Sequence, residues 1–308
     1  MVTSVATDPE SKLTTEFFLQ DTLKQFYSLQ NFNVLDPLQE FRRHQVNLDL
    51  SGKRALVTGS TLGIGRATAE ALLTEGVSVV INGRNANRVS RVADELAHLG
   101  EVQGITADMS TTEGTESLIA KIDGTVDILV NNVGRFEVKS FFEISDQDWS
   151  SMFELNVMNG IRLSRTLAKQ MLEQDWGRII FIGSDQSSKP NPEMAHYAMT
   201  KTAQVSIARC LAELTRGTNV TVNTVLAAPT WTHGVETFMK QMAEIEETTP
   251  EEMSSGYFAN GEGQTSLLER WATPEEIAVF VTFLCSPIAS AINGAALRAD
   301  GGMITSLF

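Results

Sequence analysis

The chain has 308 residues, enough for one large domain or two small ones, and its 42% apolar content suffices for a sizeable core. Thirty-eight acidic against 24 basic residues give a formal charge of −14, which argues against nucleic acid or an anionic membrane surface as partner. No apolar run approaches the roughly 20 residues that span a bilayer, no His/Cys/Asp cluster has metal-ligand spacing, and no repeat period emerges.

Residues 1–50 read as an N-terminal extension. From Leu13 to Phe41, residues such as Phe17, Phe18, Leu23, Phe26 and Tyr27 suggest a helix, a turn near Asp36-Pro37 and a second short helix. Such a segment is expected to pack on the domain or on a neighbouring subunit rather than stay in water. Asp8, Glu10, Glu16 and Asp21 argue against an organellar transit peptide, and no basic region precedes an apolar core, so a cytoplasmic protein is expected. Cys210 and Cys285 lie in apolar helix-like stretches and read as buried thiols rather than a disulfide.

From Lys53 onward, apolar runs alternate with helical patterns. Strands are expected near 54–58, 77–82, 102–107, 126–130, 178–183, 219–225 and 295–298. Runs such as Val77-Ser78-Val79-Val80-Ile81 are apolar enough for a sheet covered on both faces. The alternation implies right-handed βαβ crossovers and an α/β fold. One doubly wound Rossmann-type domain is expected over residues 51–308, with a seven-stranded, mainly parallel sheet and helices on both faces.

After the first strand, Thr58-Gly59-Ser60-Thr61-Leu62-Gly63-Ile64-Gly65 leads into the helical pattern Arg66-Ala67-Thr68-Ala69-Glu70-Ala71-Leu72-Leu73. A strand, a glycine-rich turn and a helix in that order make a nucleotide site. The glycines let a pyrophosphate approach closely, and the helix N-terminus offers free N–H groups and a positive dipole end. Ligands of such sheets bind outside the carboxyl ends of the strands, where Gly59, Asp108, Asn131, Ser184 and Thr232 all fall.

Farther along, Tyr197 and Lys201 stand four apart in His196-Tyr197-Ala198-Met199-Thr200-Lys201, downstream of Ser184. Helical residues at that spacing share a face, so the Lys201 ammonium can lie beside the Tyr197 phenol. A free tyrosine, with a pKa of about 10, is a poor acid or base at neutral pH, and a neighbouring cation lowers it towards a useful range. Ser184 adds a hydroxyl able to hold a substrate oxygen near the phenol. Between Thr232 and Leu267 lies a long insertion, read as a substrate lid over about 233–267. It carries Val235, Phe238, Met239 and Met242, then Met253, Tyr257, Phe258 and a hinge candidate at Gly261-Glu262-Gly263. The next helix is expected near Thr273-Pro274-Glu275, with a threonine N-cap and proline at its first position.

Taken together, these motifs resemble the short-chain dehydrogenase/reductase family in its common Tyr-x-x-x-Lys subtype, over roughly residues 51–308. The glycine pattern is similar to that family's Thr-Gly-x-x-x-Gly-x-Gly, and Asn131-Asn132-Val133-Gly134 resembles its Asn-Asn-Ala-Gly. Asn156 falls where the family places an active-site asparagine, and Asp300-Gly301-Gly302 resembles its C-terminal Asp-Gly-Gly. The family often carries Pro-Gly after the sixth strand; here the stretch reads Ala227-Ala228-Pro229-Thr230-Trp231-Thr232. The resemblance implies Asn156, Ser184, Tyr197 and Lys201 as catalytic residues. It implies cofactor contacts at Gly59, Ser60, Thr61, Gly63, Ile64, Gly65, Arg84, Asp108, Met109, Asn131, Asn132, Gly134, Tyr197, Lys201 and Thr232.

At the end of the second strand, Ile81-Asn82-Gly83-Arg84-Asn85 offers an arginine and no carboxylate, which favours NADP(H) over NAD(H). The expected function is reversible hydride transfer between NADP(H) and a ketone/secondary alcohol pair, as a ketoreductase acting on a mainly apolar small molecule. Phe136, Gln186, Met194, His196 and Trp231 are candidate pocket residues. The alternative is a non-catalytic NADP-binding sensor or scaffold on the same fold. The resemblance further implies a homodimer or homotetramer built through long helices like those near 146–174 and 195–215.

Overall fold

The computed structural model describes residues 46–307, and a unit spanning Leu48–Phe308 carries the fold. The helix–turn–helix expected over Leu13–Phe41 lies outside the described residues. Seven strands form one sheet: β1 (Arg54–Val57), β2 (Ser78–Gly83), β3 (Val102–Thr106), β4 (Ile128–Asn131), β5 (Gly177–Ile182), β6 (Val220–Ala227) and β7 (Ala296–Ala299). Their order is β3-β2-β1-β4-β5-β6-β7, and every pairing is parallel. The connections run outward in opposite directions from β1 and β4, which opens a crevice at their carboxyl ends.

Side chains of each strand alternate between two apolar layers. On one side Ala55, Val57, Val79, Ile81, Ile128, Val130, Ile180 and Ile182 pack against α1 (Gly63–Thr74), α2 (Ala86–Leu96) and α9 (Pro274–Cys285), which contribute Leu72, Leu73, Val92, Leu96, Ile277, Val281 and Leu284. On the other side Leu56, Val80, Leu129, Ile179 and Phe181 meet α3 (Thr112–Ala120), α5 (Asn159–Glu173) and α6 (Ala195–Glu213) through Leu118, Leu163, Leu167, Met171 and Ala208. Burying each aliphatic side chain this fully stabilises by about 1.5–3 kcal/mol. Period-2 alternation between two apolar layers is why the strands read as nearly continuous apolar runs.

Helix α4 (Asp146–Phe153) passes into α5 through a π-helical turn at Glu154–Met158 that contains Asn156. The segment expected as a lid forms α7 (His233–Ile245), α8 (Pro250–Ala259) and a 3-10 turn at Glu262–Thr265. The glycine pair there is closely packed. A Cβ on Gly263 would lie 2.5 Å from the Tyr257 ring, so glycine is needed for that packing. The end of this segment is tied to the C-terminal turn: Leu267 N donates to Gly301 O at 2.8 Å and Thr265 Oγ1 to Met303 O at 2.8 Å. Gly301 and Gly302 take φ of +60° and +81°, and Asp300 holds the turn by accepting from Gly302 N and Ile304 N. Helix α9 begins where its threonine and proline foretold, with Thr273 and Glu276 forming a capping box. Both cysteines are free thiols. Cys285 is buried as expected, whereas Cys210 is exposed on α6. Among the described residues no helix is long and apolar enough to cross a membrane.

Candidate active site

The glycine-rich turn is fixed by its neighbours. Thr58 Oγ1 accepts from both Asn132 N (3.0 Å) and Val133 N (3.1 Å), and Asn132 Nδ2 donates to Thr58 O (2.9 Å) and Gly59 O (3.2 Å). The segment after β4 is thereby stitched to the turn after β1. Gly59 and Gly63 adopt φ of +62° and +56°. A Cβ on Gly65 would fall 2.4 Å from Asn132 Nδ2 and 2.7 Å from Gly59 O, so only glycine lets α1 approach this closely. Asn82, buried at the end of β2, accepts from Gly59 N and donates to Ile105 O and Ala107 O. Ser60 closes the turn, its Oγ donating to Val57 O and accepting from Asn82 N. Thr61 lies against Gly83.

Helix α1 differs from its neighbours at its start. Its N-cap is Leu62, with no side-chain cap and no acidic residue in the first turn, whereas α2, α3, α4, α7, α8 and α9 are all capped by side chains. The N–H groups of α1 near Gly63, Ile64 and Gly65 therefore have no side-chain acceptor of their own, at the positive end of the helix dipole. Uncapped N–H groups above a glycine cradle fit the pyrophosphate of a dinucleotide.

The remaining predicted cofactor residues occupy the same rim. Arg84 is exposed at the end of β2, near enough to Asp108 for its charge to lower that carboxyl. Asp108 Oδ1 accepts from Ser110 N and Oγ, the main reason its pKa is depressed. Met109 is buried beside it. Asn131 turns its amide away from the crevice to Ser164 on α5, at 3.2 Å. Thr232 abuts Gly63 and caps α7 by accepting from Val235 N. Gly134 brings the backbone close to Asn156 and Lys201; a Cβ there would lie 3.5 Å from Asn156 Oδ1 and from Lys201 Nζ.

The Ser184, Tyr197, Lys201 and Asn156 side chains converge at the ends of β4 and β5. Lys201 Nζ lies 5.6 Å from the Tyr197 ring centre and donates to Ile182 O (2.8 Å) and Gln204 Oε1 (3.2 Å). Gln204 Nε2 in turn donates to Asn156 O at 2.6 Å, so Gln204 spans the gap between Lys201 and the π-turn. Asn156 accepts from Arg135 N and donates to Arg135 O and Thr200 Oγ1, which anchors the loop after Gly134. Burial drives the two catalytic candidates in opposite directions. Lys201 is lowered to about 8, whereas the phenol of Tyr197 is pushed above its ordinary value, with Ser184 pulling it down and the charges of Asp185 and Glu262 raising it further. The lowering of Tyr197 expected from Lys201 is not what the site shows: burial raises the phenol, and the ammonium is directed at Ile182 O and Gln204 Oε1.

The surroundings of Ser184 are more polar than the sequence suggested. Phe136 supplies an aromatic wall between Tyr197 (6.3 Å) and Phe238 of α7 (5.8 Å). Opposite it, Ser184 Oγ donates to Asp185 Oδ1 at 2.8 Å. Gln186 Nε2 and Asn191 Nδ2 both donate to Glu262 of the 3-10 turn after α8. Lys189 Nζ donates to Glu262 O and Thr265 Oγ1. His196 is buried against Trp149 and lies 3.7 Å from Glu137. Trp231 joins Trp271, which stacks on Tyr257 at 4.6 Å, in a cluster that pins α8. The sequence did not single out Asp185 or Gln204, and Thr58, Asn82 and Glu262 were met only inside longer motifs, with no role of their own. Only Asn82, a polar residue in an apolar strand, carried a visible signal.

The sequence matches the family described as short chain dehydrogenase over residues 53–243. It is 47% identical over 264 residues to the uncharacterized oxidoreductase YvrD of Bacillus subtilis, covering 85% of this chain and all of the relative. It is 34% identical to the 3-oxoacyl-[acyl-carrier-protein] reductase FabG of Aquifex aeolicus, covering 84% and 100%. Among solved structures, the L-sorbose reductase of Gluconobacter frateurii, complexed with NADPH and L-sorbose, superposes with a TM-score of 0.80 at 31% identity, over 85% of this chain and all of that one. With the glycine cradle, the parallel sheet and the Ser184–Tyr197–Lys201 constellation in place, this chain belongs to the short-chain dehydrogenase family and is an NAD(P)-dependent oxidoreductase.

Proposed function

We propose that the protein is an NADP(H)-dependent ketoreductase that interconverts a ketone and a secondary alcohol. The observation that carries this reading is the convergence of Ser184 and Tyr197 beside a buried Lys201, at the mouth of the same crevice as the glycine cradle. When bound, the nicotinamide supplies or accepts the hydride. Ser184 holds the substrate oxygen, and Tyr197 gives it a proton in reduction or takes one in oxidation. The raised phenol pKa suits the donor role, since the group stays protonated through neutral pH. Lys201, fixed by Ile182 O and Gln204, places positive charge by the phenol and is positioned to bond the nicotinamide ribose. Asn156 supports that arrangement through Arg135 and Thr200.

NADP(H) is favoured by Arg84 at the rim of β2, where Asn82 is occupied internally and no carboxylate stands to hold a ribose hydroxyl. The NADPH complex of L-sorbose reductase is consistent with that choice. Substrate enters between the Phe136–Phe238 wall and the lid. The same reading carries a cytoplasmic homo-oligomer, with α4–α5 and α6 as contact faces. Replacing Tyr197 by Phe tests the assignment in a ketone screen monitored by NADPH absorbance. The variant should bind NADPH normally and lose about 10²–10⁴-fold in turnover. Undiminished turnover would remove Tyr197 from the reaction.

A further inference from the structure

Asp185 follows Ser184 directly and is only 4% exposed. Its Oδ1 accepts the Ser184 hydroxyl at 2.8 Å, while its Oδ2 is buried with no hydrogen-bond partner. A serine hydroxyl has one proton to give. As long as an ionised Asp185 takes that proton, Ser184 Oγ faces the substrate only as an acceptor, and a ketone oxygen needs a donor. We propose that Asp185 is a proton-controlled positioning residue: ionised, it diverts the Ser184 proton away from the substrate oxygen, and protonated, it donates to Oγ and frees the serine proton for that oxygen. The inference rests on the ketoreductase reading above.

The proton count is simple. One proton from solvent on the carboxylate reverses the Ser184–Asp185 hydrogen bond, and no other bond changes. The surroundings favour uptake of that proton. Glu262 of the lid faces Asp185 with like charge, Lys189 is the cation on its own loop, and Tyr197 and Tyr257 stand near enough to feel its charge. Glu262 is itself occupied by Gln186 and Asn191, so it offers Asp185 repulsion and no hydrogen bond. An ionised carboxylate oxygen without a partner is costly in such a place, whereas a neutral carboxyl is tolerated. Burial, foremost, with Glu262 adding to it, raises Asp185 to about 6. Tyr197 is raised far beyond that and Lys201 titrates near 8, so a transition near pH 6 is separable from both.

The test uses the full-length protein with NADPH bound. Infrared difference spectra between pH 5 and pH 8 should show a protonated-carboxyl stretch titrating near pH 6 that is lost in Asp185→Asn. In parallel, ketone kcat/KM should fall about tenfold per pH unit above that break in the wild type and stay level in the variant. At pH 8 the variant should therefore exceed the wild type by up to about a hundredfold, an outcome that a merely structural role does not give. Glu262→Gln removes the like charge and should move the break to lower pH, which keeps the idea testable if Asp185→Asn does not fold. A carboxyl band surviving in Asp185→Asn, an unmoved break in both variants, or a slower Asp185→Asn enzyme with the same profile would overturn the proposal. A carboxyl band with no ketone turned over would instead remove the ketoreductase reading, since the band reports the proton without turnover.

Discussion

Burial does unequal things to the ionisable groups around Ser184. It lowers Lys201, raises Tyr197 and raises Asp185, in each case because desolvation disfavours the charged form. Asp185 gives the plainest consequence for stability. Its pKa is about 6 in the folded protein against an ordinary value of 3.8, so the folded state binds the proton more tightly. Stability from this group is fully present below pH 3.8 and is lost as pH rises through 6. The loss amounts to about 3 kcal/mol at pH 8. Asp185→Asn should therefore melt higher than wild type at pH 8, with the difference shrinking towards pH 4, as followed by calorimetry. A constant difference across that range would contradict the buried, raised carboxyl. Tyr197, Lys201 and Ser184 could be found from spacing because helical periodicity alone puts Tyr197 and Lys201 together. Asp185 and Gln204 could not, since Asp185 meets Glu262 and Gln204 meets Asn156 only once the chain has folded, and the turn after β5 alone brings the Asp185 carboxyl onto Ser184 Oγ.

At the scale of elements, the glycine turn and the segment after α8 depend on absent side chains. Alanine at Gly65 would gain about 1 kcal/mol of helix propensity. That gain is outweighed, because the added Cβ sits 2.4 Å from Asn132 Nδ2 and 2.7 Å from a backbone oxygen that cannot swing aside. Gly65→Ala should weaken NADPH binding by tenfold or more in calorimetric titration, and unchanged affinity would show that the cradle tolerates rearrangement. Asp300→Ala removes the two N–H bonds that shape the seat for the lid's end. Hydrogen exchange over residues 260–268 should then accelerate, while exchange in β1 and β4 stays slow. Equal exchange in the lid would mean that Leu267 and Leu268 hold it without the turn. Strand positions were legible because both faces of the sheet are covered, leaving apolar runs bounded by turns. Whether a glycine marks freedom or crowding is not legible in the sequence: at Gly263 the Tyr257 ring leaves no room for a Cβ.

For the whole molecule, the order of motifs along the chain matches the order in which the sheet delivers them to one crevice. The turn after β1, Arg84 after β2, Asp108 after β3, Asn132 after β4, Ser184 after β5 and Thr232 after β6 all reach the carboxyl edge. That much follows from parallel topology and was legible without coordinates. The polarity of the surroundings of Ser184 was not, because Glu262 comes from an insertion whose folding back over Gln186 and Asn191 leaves no periodic trace. Arg84→Asp should reverse the nucleotide preference, weakening NADPH while leaving NADH binding largely intact.

The most direct measurement is a fluorescence titration of the purified protein with NADPH and, separately, with NADH. Binding of NADPH at least tenfold tighter than NADH, lost in Arg84→Asp, is the expected result for an NADP(H)-dependent ketoreductase. Tighter binding of NADH would overturn the role given to Arg84, and binding of neither would contradict the enzymatic reading and favour a scaffold built on the same fold.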